Sequence, residues 1–423
     1  MTAGPTARIR RQRKSLYGRV RSRDVLFAAW LAIRRNAETS QQERTKQAAR
    51  KFGDDLPANL RNLQDRLRRG YNFAKAHGAT PPKGKGKSGK RPIVVAPLED
   101  RIVQRAILDV LQDATEIVAV QRVLATRTSI GGIRGRGVDH AIKLFTECVE
   151  AGDKYVAGSD ISGFFQKIQP AKVIQFLDDS GVEPEFSALV RDALTVELAN
   201  EDRLNAEDRA LFPTGDDGVA QGCPLSALAG NVVLEDFDLL MNAHDVTCIR
   251  YIDDFVVIGK SLGAVQEAMA KAKAILADLK MDIYDPEKAP TKAFIGPIGE
   301  PHVFLGYQLI PGVYPPSGAV CEKLMARIGA LIAGGQRSIS KAVTDRPLTS
   351  QDRCYAQTLV AIDHTVSGWR GSLRSSNCPE EFRQLDALID RRLADFRAFF
   401  RAKMAKRTAI QQRRAQRVRL LSE

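Results

Sequence analysis

Two adjacent carboxylates, Asp253 and Asp254, stand in the stretch Arg250-Tyr251-Ile252-Asp253-Asp254-Phe255-Val256-Val257-Ile258-Gly259. Side by side they repel. A turn tolerates them when water or cations screen the charge, and Mg²⁺, which takes carboxylate oxygen, is the matching ion. Asp-Asp pairs recur at Asp54-Asp55, Asp178-Asp179 and Asp216-Asp217, in polar or helix-edge surroundings, so adjacency alone says little. Only Asp253-Asp254 lies between runs rich in β-branched and aromatic residues, with Val246, Cys248, Ile249 and Tyr251 before it and Phe255 to Ile258 after it. That pattern predicts two strands joined by a tight turn that carries the acids, and favours a metal site over a solvated hairpin tip. A third carboxylate, Asp160, ends the strand-like Tyr155-Val156-Ala157-Gly158-Ser159-Asp160-Ile161 and precedes Ser162-Gly163-Phe164-Phe165. A strand-end Asp is most often a helix cap. It becomes a ligand only if the fold sets it beside Asp253.

The elements that position these acids follow from periodicity. Leu26, Trp30 and Ile33, then Phe52, Leu56, Leu60, Leu63 and Leu67, predict helices from Ser22 to a stop near Gly70. Glu99 to Gln112 reads as a helix with Ile102, Val103, Ala106, Ile107, Val110 and Leu111 on one face and Arg101 and Arg105 near its start. Gly218 to Ser226 opens a long predicted helix, Ala227 to Met241, and Leu262 to Leu279 is a further amphipathic helix. Tyr314-Pro315-Pro316-Ser317-Gly318 punctuates the chain as a domain boundary, and residues 319–423 read helical throughout.

The 423 residues carry a formal net charge of +14 with 27% charged, which describes a folded basic protein of two or three domains and points to a polyanionic partner. The charge is clustered. Arg8, Arg10, Arg11, Arg13, Lys14, Arg19, Arg21 and Arg23 crowd the start, and Arg401 to Arg419 the end. The Gly/Lys run Lys83 to Lys90 before Arg91 suits either a mobile hairpin tip or a basic finger closing over phosphates. Ser129-Ile130-Gly131-Gly132-Ile133-Arg134-Gly135-Arg136-Gly137 suits either a surface loop or a backbone that follows a sugar-phosphate strand. Six cysteines without CxxC spacing argue for a reducing cytoplasm and against a zinc module, and no run is apolar and long enough to span a bilayer.

In order, these pieces resemble the reverse transcriptases of bacteria, particularly the group II intron lineage and its domesticated relatives. The matches are Arg91-Pro92-Ile93 with Asp100-Arg101, Ser129 to Gly132, Asp160 to Phe165, Gln221-Gly222 with Ser226 and Asn231, Tyr251 to Asp254, Lys288, and Phe304-Leu305-Gly306-Tyr307; Ser367-Gly368-Trp369 with Phe382, Leu385 and Asp386 look like the thumb. The resemblance implies an α+β right-hand polymerase: a basic extension (1–24), fingers with N-terminal helices (25–150), a palm of antiparallel sheet backed by helices (151–314), a helical thumb (315–400) and a basic tail (401–423). It brings Asp160 to the Asp253-Asp254 turn, where two Mg²⁺ ions, held by these acids with the Ile161 carbonyl, would drive in-line phosphoryl transfer. It assigns Arg91 and Arg101, with Lys90, to the triphosphate, Lys288 to a proton on pyrophosphate, and Gln221 and Gly222 to the nucleotide pocket. Phe165 would lie beneath the ribose C2′ and select dNTPs.

Ala227 departs from the proline usual after that serine, and Asp363 from an asparagine usual in intron-encoded relatives. No His-Asn-His nuclease or cysteine module follows the thumb. The chain most resembles the stand-alone defence-associated (unknown-group) bacterial reverse transcriptases. The implied partners are therefore dNTPs and an RNA template, a dedicated structured non-coding RNA copied into cDNA in anti-phage defence. The competing expectation is a group II intron-type maturase that binds RNA to splice it.

Overall fold

The computed structural model describes residues 15–40, 42–83, 89–213, 216–243, 245–344, 346–349 and 351–418. Arg8 to Lys14 of the basic extension, Gly84 to Ser88 of the Gly/Lys run, and Arg419 lie outside them. The chain forms two compact units. The first takes 1–136, 159–257 and 266–293, and the second takes 137–158, 258–265 and 294–423.

In the first unit the helix Arg23–Glu38 buries Leu26, Ala29, Trp30, Ile33 and Ala37, one face at three- and four-residue spacing. That face packs chiefly on Leu98–Gln112, whose Ile102, Val103, Ala106 and Ile107 are wholly buried. Glu99 and Asp100 stand in that helix's first turn, where acids suit the unsatisfied amides. Helices Glu43–Asp54 and Leu56–Arg68 follow as expected, and Gly70, at φ +95°, turns the chain beyond them. Strands β1 (His77–Ala79) and β2 (Ile93–Val95) pair antiparallel, Gly78 opposite Val94.

Strands β3 (Tyr155–Asp160), β4 (Val246–Tyr251), β5 (Asp254–Gly259) and β6 (Ala293–Pro297) form one sheet in the order β4-β5-β3-β6. Its bonds run antiparallel. The Lys154 amide donates to Gly259 and the Ile161 amide to Asp253, while the Asp160 amide donates to Lys292 and the Ile298 amide to Lys154. Phe255, Val256, Val257 and Ile258 are all fully buried, so both faces of β5 are covered and its sequence is a continuous apolar run. The α+β class with an antiparallel sheet is as the resemblance implies. The long helix expected over Ala227 to Met241 is two, Ser226–Val233 and Glu235–Met241. Buried Leu234 (φ −98°, ψ 13°) breaks it, and the second half packs on β4, bringing Asp238 to Arg250.

In the second unit β7 (Val303–Phe304) and β8 (Tyr307–Gln308) form a hairpin whose turn residues, Leu305 and Gly306, both have positive φ. Helices Gly318–Ala342, Tyr355–Ser372 and Pro379–Met404 enclose a core of Leu324, Ile328, Ile339, Ile362 and Phe396. Gly335 permits their close crossing, since a Cβ there would sit 2.5 Å from the Thr358 hydroxyl and 3.0 Å from the Phe396 ring. The basic tail begins with a folded piece. Thr408 and Gln411 form a capping box for Ala409–Gln416, and Ala415 is buried. Among the described residues no helix is long and apolar enough to cross a membrane, and no disulfide joins the cysteines.

Candidate active site

The acidic turn is a two-residue loop, Ile252-Asp253, between β4 and β5. Ile252 has φ +63°, a conformation that costs a β-branched residue about 1–3 kcal/mol. Beside it lies Gly131, where a Cβ would meet the Ile252 nitrogen at 2.7 Å and Cγ1 at 2.4 Å, so only glycine lets the two backbones approach. The next residue's carbonyl, that of Asp253, accepts the Ile161 amide at 2.7 Å. That bond sets the end of β3, with Asp160, against the turn, and Asp254 opens β5 next to β3.

Burial pushes the Asp253 carboxyl above its ordinary range, and the nearby charges of Arg250 and Arg91 oppose the rise. Asp160 is bound to the Lys292 ammonium, which also lies 5.4 Å from the centre of the Tyr284 ring. A lysine cation held on Asp160, whose strand end is bonded to the turn that carries a carboxyl resisting ionisation, suits acids that would bind hard cations. Among the described residues no three acidic, histidine or cysteine side chains already form a metal cluster. Asp160 is drawn to Lys292 instead.

The remaining expected residues fall around this core. The Val219 amide donates to the Phe165 carbonyl at 2.7 Å, and the Val94 amide donates to Gln221 at 2.9 Å, so Phe165, Gln221 and β2 are linked by backbone. Phe165 is half-buried, edge-on to Phe164 at 5.3 Å, and Phe164 is wedged over Gly230. Gly222 has φ +122°, and a Cβ on it would lie 2.6 Å from the Val94 carbonyl oxygen. Gly222→Ala is therefore expected to destabilise the fold by about 2–4 kcal/mol, read as a lower urea midpoint. An unchanged midpoint would show that the loop has slack. Arg91 is exposed just before β2. Arg101, half-buried in the first turn of the following helix, has no ion pair with a described residue, and burial pulls it below its ordinary range.

Three readings change. Lys90 is held by both oxygens of Asp208, at 2.7 and 2.9 Å, so it braces β1 and β2 against Asn205–Asp208 rather than standing free for phosphate. Lys288 is exposed and no bond to a described residue ties it to the turn; Lys292 is the lysine brought to Asp160. Arg134 pairs with Asp109 and Asp113, and Arg136 turns inward to the carbonyls of Leu124, Thr126 and Ser129. The loop's arginines build the loop instead of reaching for a sugar-phosphate strand. Ala227, the departure, sits where a Cβ on Gly132 would meet its methyl at 2.5 Å, so a small residue suits the contact.

Sequence reasoning missed Lys292 and Arg250 as members of the site. The signal for Arg250 was a charge inside an otherwise strand-like run, whereas nothing local marks Lys292, which precedes β6.

Carboxylates on adjoining antiparallel strands, one in a tight acidic turn, together with a Gln-Gly loop bonded to the strand that follows Arg91, define the palm of a nucleic-acid polymerase. The chain belongs to the reverse transcriptase (RNA-dependent DNA polymerase) family, whose model matches residues 81–309. It is 26% identical over 297 residues to Protein YkfC of Escherichia coli (strain K12), which covers 60% of this chain and 72% of that protein. Among solved structures it is similar to a partial Cas6-RT-Cas1–Cas2 complex, with 20% identity, a TM-score of 0.35, and 64% of this chain against 44% of that one. It is also similar to the apo telomerase of Candida tropicalis, with 12% identity, a TM-score of 0.42, and 75% of this chain against 62% of that one. The chain thus spans less than two thirds of either solved chain.

Proposed function

We propose that this protein is an RNA-directed DNA polymerase that copies an associated structured non-coding RNA into cDNA, in anti-phage defence. The observation that carries the polymerase reading is the Ile161–Asp253 bond, which joins the strand ending in Asp160 to the acidic turn. Asp160, Asp253 and Asp254, with the Ile161 carbonyl, would hold two Mg²⁺ ions, which when bound activate the 3′-hydroxyl and neutralise the leaving pyrophosphate. Arg91 and Arg101 bind the triphosphate of the incoming nucleotide, as forked donors suited to phosphate oxygen. Gln221 and Gly222 support its base and ribose, and Phe165 excludes a 2′-hydroxyl. Fingers, palm and thumb take the boundaries 25–150, 151–314 and 315–400. The group II-like lineage rests on the resemblance of the quoted motifs, and the defence role on the likeness to defence-associated bacterial reverse transcriptases.

The test is to purify the protein with its bound RNA and supply Mg²⁺ and dNTPs. The expected product resists RNase and is destroyed by DNase, and sequencing the bound RNA identifies the template. No incorporation on any RNA template, together with stimulation of intron splicing, would replace this reading with the maturase.

A further inference from the structure

We propose that Arg250 is a positioning residue that holds the acidic turn in register, an inference that rests on the polymerase reading of that turn. Arg250 is the largest fully buried side chain of the described residues. Its guanidinium is shared four ways. Nε donates to Asp238 at 2.7 Å, one terminal nitrogen donates to the other Asp238 oxygen and to the Ser129 hydroxyl at 2.8 Å, and the second terminal nitrogen donates to the Ile252 carbonyl at 2.8 Å. A guanidinium is removed from water only at great cost unless it is paired, and Asp238 supplies the pair. The pair alone does not need Ile252. The bond to its carbonyl adds a hold on the one turn residue whose backbone is left-handed, directly before Asp253.

Two more contacts close the clamp. The Ile130 amide donates to the Arg250 carbonyl at 2.8 Å and the Arg250 amide to Thr128 at 2.9 Å, which docks the loop carrying Gly131 against Ile252. The Asn231 amide donates to the Gly131 carbonyl at 2.9 Å, and the Ser129 hydroxyl lies 3.4 Å from the same side chain's oxygen. Asn231 belongs to the helix that follows Gln221-Gly222. One buried ion pair thereby indexes the acidic turn to the helix of the nucleotide pocket. Such outer partners govern metal sites because ligand orientation is set by what holds the ligand.

The experiment uses the full chain in three variants. Arg250→Lys keeps the charge, but a single ammonium cannot span Asp238, Ser129 and the Ile252 carbonyl at once. Expected results are a Mn²⁺ affinity, read by electron paramagnetic resonance, weaker by about 10-fold or more, and faster hydrogen exchange of the peptide containing the Ile161 amide. DNA synthesis falls about 10- to 100-fold in kcat, with dNTP KM changed less. Ile252→Gly in the Arg250→Lys background should recover part of the affinity, because glycine takes the left-handed turn without help. Ser129→Ala removes one acceptor of the guanidinium and the hydroxyl's donation to Asn231, while leaving the Asp238 pair and the Ile252 bond in place. It should give a weaker shift of the same kind, about 3- to 10-fold, which decides the matter if Arg250→Lys does not fold. Mn²⁺ affinity and Ile161 exchange unchanged in a folded Arg250→Lys, or unchanged in Ser129→Ala when Arg250→Lys is unfolded, would overturn the proposal. Should the wild-type protein make no DNA, the polymerase reading fails by itself, while Mn²⁺ affinity and exchange still decide the role of Arg250.

Discussion

DNA synthesis by the Asp253→Ala protein is expected to fall on the order of 10³-fold or more, with RNA affinity within about twofold of wild type. Loss of an anionic ligand from a two-cation site removes several kcal/mol of transition-state stabilisation, and each 1.36 kcal/mol is a factor of ten. The same substitution leaves untouched the exposed arginines of the basic tail, such as Arg401, Arg407 and Arg413, which under the proposed function would carry RNA. A companion measurement separates a ligand from a structural carboxylate. Burial resists ionisation of Asp253, so Asp253→Asn, which keeps the shape and drops the charge, should hold or raise the metal-free melting temperature while still abolishing synthesis. Activity functions often cost a fold stability in this way. Synthesis that survives in either variant would remove Asp253 from the chemistry.

The second large effect concerns sugar choice. Phe165 is tied by its carbonyl to the Val219 amide and braced by Phe164, so its ring is fixed at a position joined by backbone to Gln221. A 2′-hydroxyl against that ring would lose its hydration without gaining a partner, a penalty of about 1–3 kcal/mol. Phe165→Val should therefore improve kcat/KM for rNTPs relative to dNTPs by roughly 10- to 100-fold. Primer extension with single rNTPs measures it, and an unmoved ratio would place the sugar gate elsewhere.

Much of the site was legible because its signals are local. β3 runs from Tyr155 to Asp160 and the acids flank a strand turn, as hydrophobic runs bounded by polar residues predict. What was not legible depends on partners far apart in sequence. Nothing in Thr291-Lys292-Ala293 announces that Lys292 will meet Asp160, and Lys288 has the same local character until the register of β6 is known. Arg134 and Arg136 look like phosphate ligands until Asp109, Asp113 and three carbonyls are seen to occupy them. The break at Leu234 was hidden because no Gly or Pro lies within three residues of it. It is tertiary packing on β4, with Asp238 drawn to Arg250, that turns the chain there.

The packing of helix Arg23–Glu38 on Leu98–Gln112 bears on how the protein can be cut for study. A fragment trimmed to 81–309, the stretch recognisable as polymerase, would discard Leu26, Trp30 and Ile33 and bare the apolar surface they cover. Each large side chain so stripped forfeits roughly 1.5–3 kcal/mol, a sum comparable with the whole margin that keeps an ordinary domain folded. Such a fragment would clump in the tube. The limits of ancestry and the limits of the folding unit differ in this chain, and expression should respect the latter.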